Sequence, residues 1–162
     1  MTAALNILFF LTPKNEVAFL YEDETLRQAI EKMEHRKFSC IPILSRDGRY
    51  TGTISEGDLL WTWKHMSPAD IREAENVSIM MLPRRATYRP VHVDCMIEDL
   101  LDMAINQNFV PVIDDAGFFI GIITRKMIIK YCYSEMKRLS QELETRSEDT
   151  EETEDREDQI KI

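Results

Sequence analysis

Two short stretches carry the side chains best suited to holding an oxygen-rich ligand, Ser55-Glu56-Gly57-Asp58 and Thr124-Arg125-Lys126-Met127. Each begins with a hydroxyl residue that ends an apolar run and opens a helical one. The hydroxyl and the first free backbone N–H groups therefore project from one end of the element pair, where a phosphate or ribose oxygen could be held. Helix starts are common, and a plainly capped helix is the competing reading. A third feature is the window from Pro83 to Pro90, which holds Arg84, Arg85 and Arg89 in an otherwise acidic protein. These arginines read either as ordinary linker charges or as anion contacts. Other chemistry is missing. His35, His65 and His92 are scattered without metal-ligand spacing, and no phosphate-binding glycine loop or nucleophile beside a base is present. An enzyme of the nucleotide-hydrolase kind would need a metal site that these residues do not supply, so the reading is a non-enzyme with no required cofactor and no metal.

The elements that position the two stretches occur twice. Ser39 to Trp63 slides onto Asn108 to Cys132 with an offset of 69 and no gap, aligning Pro42 with Pro111, Gly48 with Gly117, Gly52 with Gly121 and Ile54 with Ile123. Each copy runs from an apolar strand (Cys40 to Leu44; Phe109 to Ile113) through a polar glycine turn to a second strand and a short helix. Upstream, Glu16 to Tyr21 and Val91 to Val93 read as first strands. Helices follow them, with apolar stripes at Leu26, Ala29, Ile30 and Met33, and at Met96, Leu100, Met103 and Ala104. Two copies of one unit are the economical reading. The expectation is an α+β fold of two motifs, strand-helix-strand-strand-helix each, packed about a pseudo-twofold axis. A unit of about 60 residues would bury too little surface alone, so each covers the other's apolar sheet.

The boundaries follow from this: 1–66 for the first motif with an apolar N-terminal element (Leu5 to Leu11), 67–82 for a connector, 83–136 for the second motif, and 137–162 for a helix extension and acidic tail. In the connector Ser67-Pro68 reads as a helix start. The last helix opens at Arg125 and continues toward Leu143. Beyond it the stretch SEDTEETEDREDQ has no apolar period and should be disordered or a frayed, solvated helix.

Charge and cysteines narrow the partners. The formal net charge is −9, and residues 144–162 carry nine acids against three bases, leaving the body nearly neutral. No basic face is available for nucleic acid. Cys40, Cys95 and Cys132 lie far apart in apolar surroundings and read as buried, reduced thiols. The methionines at helical spacing read as core fillers. Leu5 to Leu11 is far too short to span a bilayer and lacks a basic leader, so a cytoplasmic protein without membrane contact is expected.

The repeated pattern of an Ile-Pro or Val-Pro strand followed by apolar-x-Gly-apolar-apolar-Ser/Thr-x-x-Asp resembles the cystathionine-β-synthase (CBS) domain, here as a tandem pair. Ile41-Pro42 with Gly52 to Asp58, and Val110-Pro111 with Gly121 to Met127, carry the resemblance. It implies a regulatory sensor that binds an adenine nucleotide such as AMP, ATP or S-adenosylmethionine between the motifs. By resemblance, cleft one would use Val17, Ala18, Ser39, Cys40, Ile41 and Pro42 with Thr124, Arg125 and Lys126. Cleft two would use Ser55 and Asp58 with Phe109, Val110, Pro111 and some of Arg84, Arg85 and Arg89. Strand-edge amides would read the base and Asp58 would accept from ribose hydroxyls. Met127 departs from the pattern, because the ribose-binding Asp is absent there. Arg125 and Lys126 stand in its place, a basic pair similar to that of small, stand-alone bacterial CBS proteins that bind cyclic di-AMP. Arginine suits bidentate phosphate contact; the alternative is a pair of solvated first-turn residues, although cations are disfavoured at a helix N-terminus. A homodimer with apolar helix faces packed into a disc, and an unknown protein partner that senses occupancy, complete the expectation. The alternative function is a structural or interaction module with degenerate clefts.

Overall fold

The computed structural model describes residues 6–66 and 72–159, with side chains described as far as 146. The chain divides into two units, one up to Arg125 that holds both sheets and one from Lys126 onward, whose described residues are helix. In the first unit, strands β2 (Leu20–Tyr21), β3 (Cys40–Leu44) and β4 (Tyr50–Ser55) make a sheet in the order β2-β3-β4. Strands β1 (Thr12–Pro13), β5 (Val91–His92), β6 (Phe109–Ile113) and β7 (Phe119–Thr124) make the other, in the order β1-β7-β6-β5. Helices α1 (Leu26–Arg36), α2 (Glu56–His65) and α3 (Ile97–Asn106) complete this unit, and α4 (Arg125–Gln159) follows β7 directly.

The offset of 69 residues recurs atom by atom in the ladders. Cys40 pairs with Ser55 and Phe109 with Thr124; Ile43 pairs with Gly52 and Val112 with Gly121. Both hairpins break register at the same place, after Ile43 and after Val112. Gly48 and Gly117 close the two turns with φ of 95° and 83°, a left-handed conformation that side chains other than glycine, asparagine and aspartate rarely adopt. The two sheets meet where Arg49 bridges Phe118, its own repeat equivalent, and Phe119 N–H donates to Gly48 O at 3.0 Å. A bridge between equivalent residues marks the local twofold axis.

Alternation along the strands sends Ile41, Ile43 and Ile54 into the core, where they meet Leu26, Ala29 and Met33 of α1. Thr25 caps α1 with a complete capping box to Gln28. The connector does more than join the repeats. Its 3-10 turns Glu73–Asn76 and Ile79–Met81 bury Ala74 and Ile79, and Leu26 N–H donates to Val77 O at 2.8 Å. The Ser67-Pro68 reading lies outside the described residues.

Other expectations change. The strand read over Glu16 to Tyr21 is paired only at Leu20–Tyr21, because Lys14–Glu16 forms a 3-10 turn first. Met96 caps α3 from outside and is exposed, so only Leu100 and Ala104 of that stripe are buried. Of the methionines, Met33 is core, whereas Met80, Met81, Met96, Met127 and Met136 are exposed. The cysteines are free, but Cys40 and Cys95 are half-buried and Cys132 is exposed. Ile7 and Phe10 of the N-terminal turn Ile7–Phe10 are buried, although Phe9 between them faces solvent. Helix α4 remains helical through Gln159, across the acidic stretch.

Candidate functional site

The strand pairs and the segments ahead of β2 and β5 set up two equivalent positions for a ligand, and the chain treats them differently. Val17 and Ala18 stand three and two residues before Leu20, as Tyr88 and Arg89 stand before Val91; Leu20 pairs with Ile43 and Val91 with Val112, its repeat equivalent. The comparison of these two positions defines the site.

At the first position there is a cavity of about 270 Å³ lined by residues of both repeats, among them Val17, Ala18, Cys40 and Pro42 on one side and Asn108, Phe109 and Thr124 on the other. It brings together Val17, Ala18, Cys40, Pro42 and Thr124 of the nine residues expected in cleft one. Ile41 is fully buried on the far face of β3, so only its backbone is on the cleft side. Ser39 O accepts from Glu56 N–H at 2.9 Å, which ties it to the start of α2. Arg125 is held through its Nε, which donates to Ala104 O at 2.8 Å and Gln107 O at 3.0 Å and closes the C-terminal end of α3, while its charge acts on the neighbouring Tyr88. A cation there complements the helix dipole, which neither the phosphate reading nor the solvated reading anticipated. Lys126 belongs to the helical unit that starts with it.

Among the described residues no protein hydrogen bond reaches the N–H or C=O of Ala18. This leaves one donor and one acceptor side by side on a half-buried backbone edge at the cavity wall.

The second position is filled. Tyr88 O–H lies 3.3 Å from Cys40 Sγ and accepts from Asn108 N–H at 3.2 Å, and its ring packs on Phe109 at 5.3 Å between centroids. Tyr50 O–H donates to Tyr88 O at 3.2 Å and pairs with Thr53 Oγ1 at 2.8 Å. Burial pushes the Tyr50 hydroxyl up to about 12, and burial with the Cys40 contact pushes Tyr88 up to about 12 as well. The buried carboxamide of Gln107 completes the plug. Its Oε1 accepts from Arg89 N–H at 2.8 Å and its Nε2 donates to Arg89 O at 3.1 Å. Gln107 occupies in the second repeat the place of Phe38 in the first, and Phe38 has no polar group to offer. Gln107 and Tyr88 were not among the sequence candidates; their signal lies in their partners, which are distant in the chain.

The remaining cleft-two candidates split into two groups. Asp58 is buried with both oxygens engaged: Oδ2 accepts from Ser55 N–H at 2.9 Å and Oδ1 from Arg85 N–H at 3.0 Å, while Ser55 Oγ accepts from Asp58 N–H at 3.1 Å. Arg85 lays its guanidinium over Trp61, 4.6 Å from the ring centroid. Arg84 donates through Nη2 to Ile79 O at 3.0 Å, and its buried Nη1 has no partner. Burial lowers its pKa, with Asp58 and Tyr50 opposing. A groove of about 350 Å³ runs beside this group, lined by Asp58, Trp61, Thr62, His65, Pro83 and Arg85. Phe109, Val110 and Pro111 do not line it; Phe109 faces Tyr88 and Val110 is fully buried.

Elsewhere in the first unit, α1 and α2 leave an apolar groove of about 640 Å³ between them, walled by Ile30, Met33, Phe38, Leu59, Leu60 and Trp63. No cluster of His, Cys, Asp or Glu suited to a metal ion occurs among the described residues. No helix among them is long and apolar enough to cross a membrane.

Comparison with known proteins places these features. The profile of the CBS domain matches residues 11–62 and 86–134. An uncharacterized protein of Methanocaldococcus jannaschii, MJ1426, is 28% identical over 139 residues, covering 68% of this chain and 83% of that one. A crystal structure of CbpB in complex with c-di-AMP superposes with a TM-score of 0.72 at 24% identity, covering 86% of this chain and 91% of that one. CBSX2 in complex with AMP superposes with a TM-score of 0.63 at 19% identity, over 81% of this chain and 98% of that one. At these identities the two superpositions speak to the fold.

Proposed function

We propose, since this chain belongs to the CBS domain family, that it is a regulatory, non-enzymatic pair that binds an adenine nucleotide in cleft one. The observation that carries this is the contrast between Ala18 and Arg89. In the second repeat the strand-edge N–H and C=O are held by the carboxamide of Gln107. A carboxamide presents one acceptor beside one donor, and the edge of adenine does the same with a ring nitrogen and its amino group. In the first repeat the same backbone pair faces a cavity large enough for one nucleoside, with no carboxamide to satisfy it. Guanine presents the reversed pair on that edge and would be rejected, because buried polar groups would be left unmatched.

Thr124 and the start of α4 lie at the ribose-phosphate end of this reading, with Lys126 the nearby cation in sequence. That CbpB and CBSX2 were crystallised with c-di-AMP and AMP supports the ligand class. In cleft two the position beside Phe109 is filled by Tyr88 and Gln107, while Asp58 and Arg85 line the neighbouring groove of about 350 Å³. The groove between α1 and α2 supports a homodimer through apolar helix faces. Occupancy then biases two shapes of the assembly, which a protein partner reads. The free thiols support a reducing compartment such as the cytoplasm.

A second reading, an interaction module without ligand, is favoured by the filling of the second position by Tyr88 and Gln107. A thermal-shift panel separates the two. AMP, ADP, ATP, cyclic di-AMP and S-adenosylmethionine, with GTP as control, are offered to the full chain. A ligand at 100 times its Kd adds about 2.7 kcal/mol and raises Tm visibly. A selective adenine response is expected; silence across the panel leaves the interaction module.

A further inference from the structure

Helix α4 is 35 residues long, far longer than the helices of either repeat. Helices in water draw most of their stability from packing an apolar face, and a polar helix of this length needs a partner. Five of its exposed apolar residues follow one rule, with exposed Met127 and Tyr133 lying beside their line. Ile129, Cys132, Met136, Leu139 and Leu143 are spaced by three, four, three and four, which is the a/d seam of a heptad repeat. Ile129, Met136, Leu139 and Leu143 are each half exposed or more, and Cys132 is exposed. A strict 3-4 spacing makes a narrow stripe, the seam of a two-stranded coil, and not the wider face a globular core requires.

We propose that this stripe pairs with the same stripe of a second copy of the chain, as a parallel two-stranded coiled coil from Ile129 to Leu143. The flanking charges select the occupant and its direction. With Ile129 at an a position, Glu135 and Glu142 fall at g positions and Ser140 at e. In a parallel pair each Glu135 faces the uncharged Ser140 of the other copy. In an antiparallel pair Glu135 would face Glu142, and like charges would oppose association. Arg138 sits outside the seam and binds Glu135 and Glu142 of its own helix at 2.9 and 2.5 Å, so each helix satisfies those acids internally. Past Leu143 the a and d positions become polar and the acidic residues accumulate, which sets the end of the seam and loads the pair with repulsion. The coil should therefore tighten as salt screens the acids, opposite to an interface held by ion pairs.

This inference rests on α4 alone and stands apart from nucleotide binding. Cys132, at a d position, makes it testable in the full chain, because a parallel coil brings the two Cys132 thiols face to face whereas an antiparallel one sets Cys132 against Leu143. The experiment is crosslinking with a short bis-maleimide at 50 and 500 mM salt, with Cys132→Ser as the control. Efficient dimer crosslinking at Cys132 is expected, stronger at high salt and weakened about a hundredfold or more in apparent affinity by Leu139→Asp. In the Cys132→Ser background, Leu139→Cys should crosslink and Gln141→Cys, on the outer face, should not. A cooperative thermal melt without nucleotide verifies that Leu139→Asp is folded. No crosslink at Cys132, or equal crosslinking at 139 and 141, overturns the parallel coil, whatever the nucleotide panel shows.

Discussion

Gln107 binds the Arg89 backbone through both of its polar groups, and Phe38, at the equivalent place, cannot. Gln107 thus satisfies in the second repeat the backbone pair that the first leaves unmatched, while Tyr88 fills the space beside it. Replacing it, Gln107→Leu, leaves the part-buried N–H and C=O of Arg89 without these partners and should cost about 1 kcal/mol in a urea melt. The neighbouring tyrosines give a second prediction. Folded Tyr50 and Tyr88 hold their protons to about 12, whereas an unfolded tyrosine loses its proton near 10. The stability from keeping both neutral is complete below about pH 10 and is lost as pH rises from there through about 12. Absorbance of tyrosinate should show Tyr50 and Tyr88 titrating late, together with alkaline unfolding; Tyr50→Phe should remove one late step. At this scale the sequence was legible where local chemistry suffices. Ser55 and Asp58 form the capping box their spacing of three allows. The roles of Gln107, Tyr88 and Arg125 were not legible, because each depends on a backbone group elsewhere in the chain. Beside its reading as a phosphate contact, Arg125 closes the end of α3 through its Nε.

Among the elements, the hairpins were legible and their edges were not. The turn glycines and the alternation in β3, β4, β6 and β7 are strong local signals, and the strand pairs lie where the offset of 69 places them. Strand β1 has only two residues and pairs with β7 more than 100 positions away, so nothing near Thr12 announces it. Gly121 records the contact from the other side. A Cβ there would meet Thr12 O at 2.2 Å, whereas one at Gly52, its repeat equivalent, would meet nothing within 4 Å. Gly121→Ala should therefore pry β1 from β7 and cost about 2 kcal/mol, read as a lower denaturant midpoint. Thr25→Ala, which removes a side-chain cap from α1, should cost about 1 kcal/mol in the same assay.

For the molecule as a whole, the repeat in the sequence implies two equivalent clefts, and the first unit has one open and one plugged by its own side chains. Internal symmetry is carried by strands and glycines, which the pattern of apolar residues reveals. Departure from it is carried by a few residues at the cleft walls, Val17 against Tyr88 and Phe38 against Gln107. The stoichiometry should follow the open cleft, giving one AMP per chain or one cyclic di-AMP per two chains. Val17→Tyr would build into cleft one the plug that Tyr88 makes in cleft two. The measurement that tests the account most directly is calorimetric titration of AMP and cyclic di-AMP into the parent chain and into Val17→Tyr, with matched thermal melts to show that both are folded. Saturable binding at that stoichiometry in the parent, lost in Val17→Tyr, is the predicted result. No heat with either nucleotide, or equal binding by a folded Val17→Tyr protein, would contradict it.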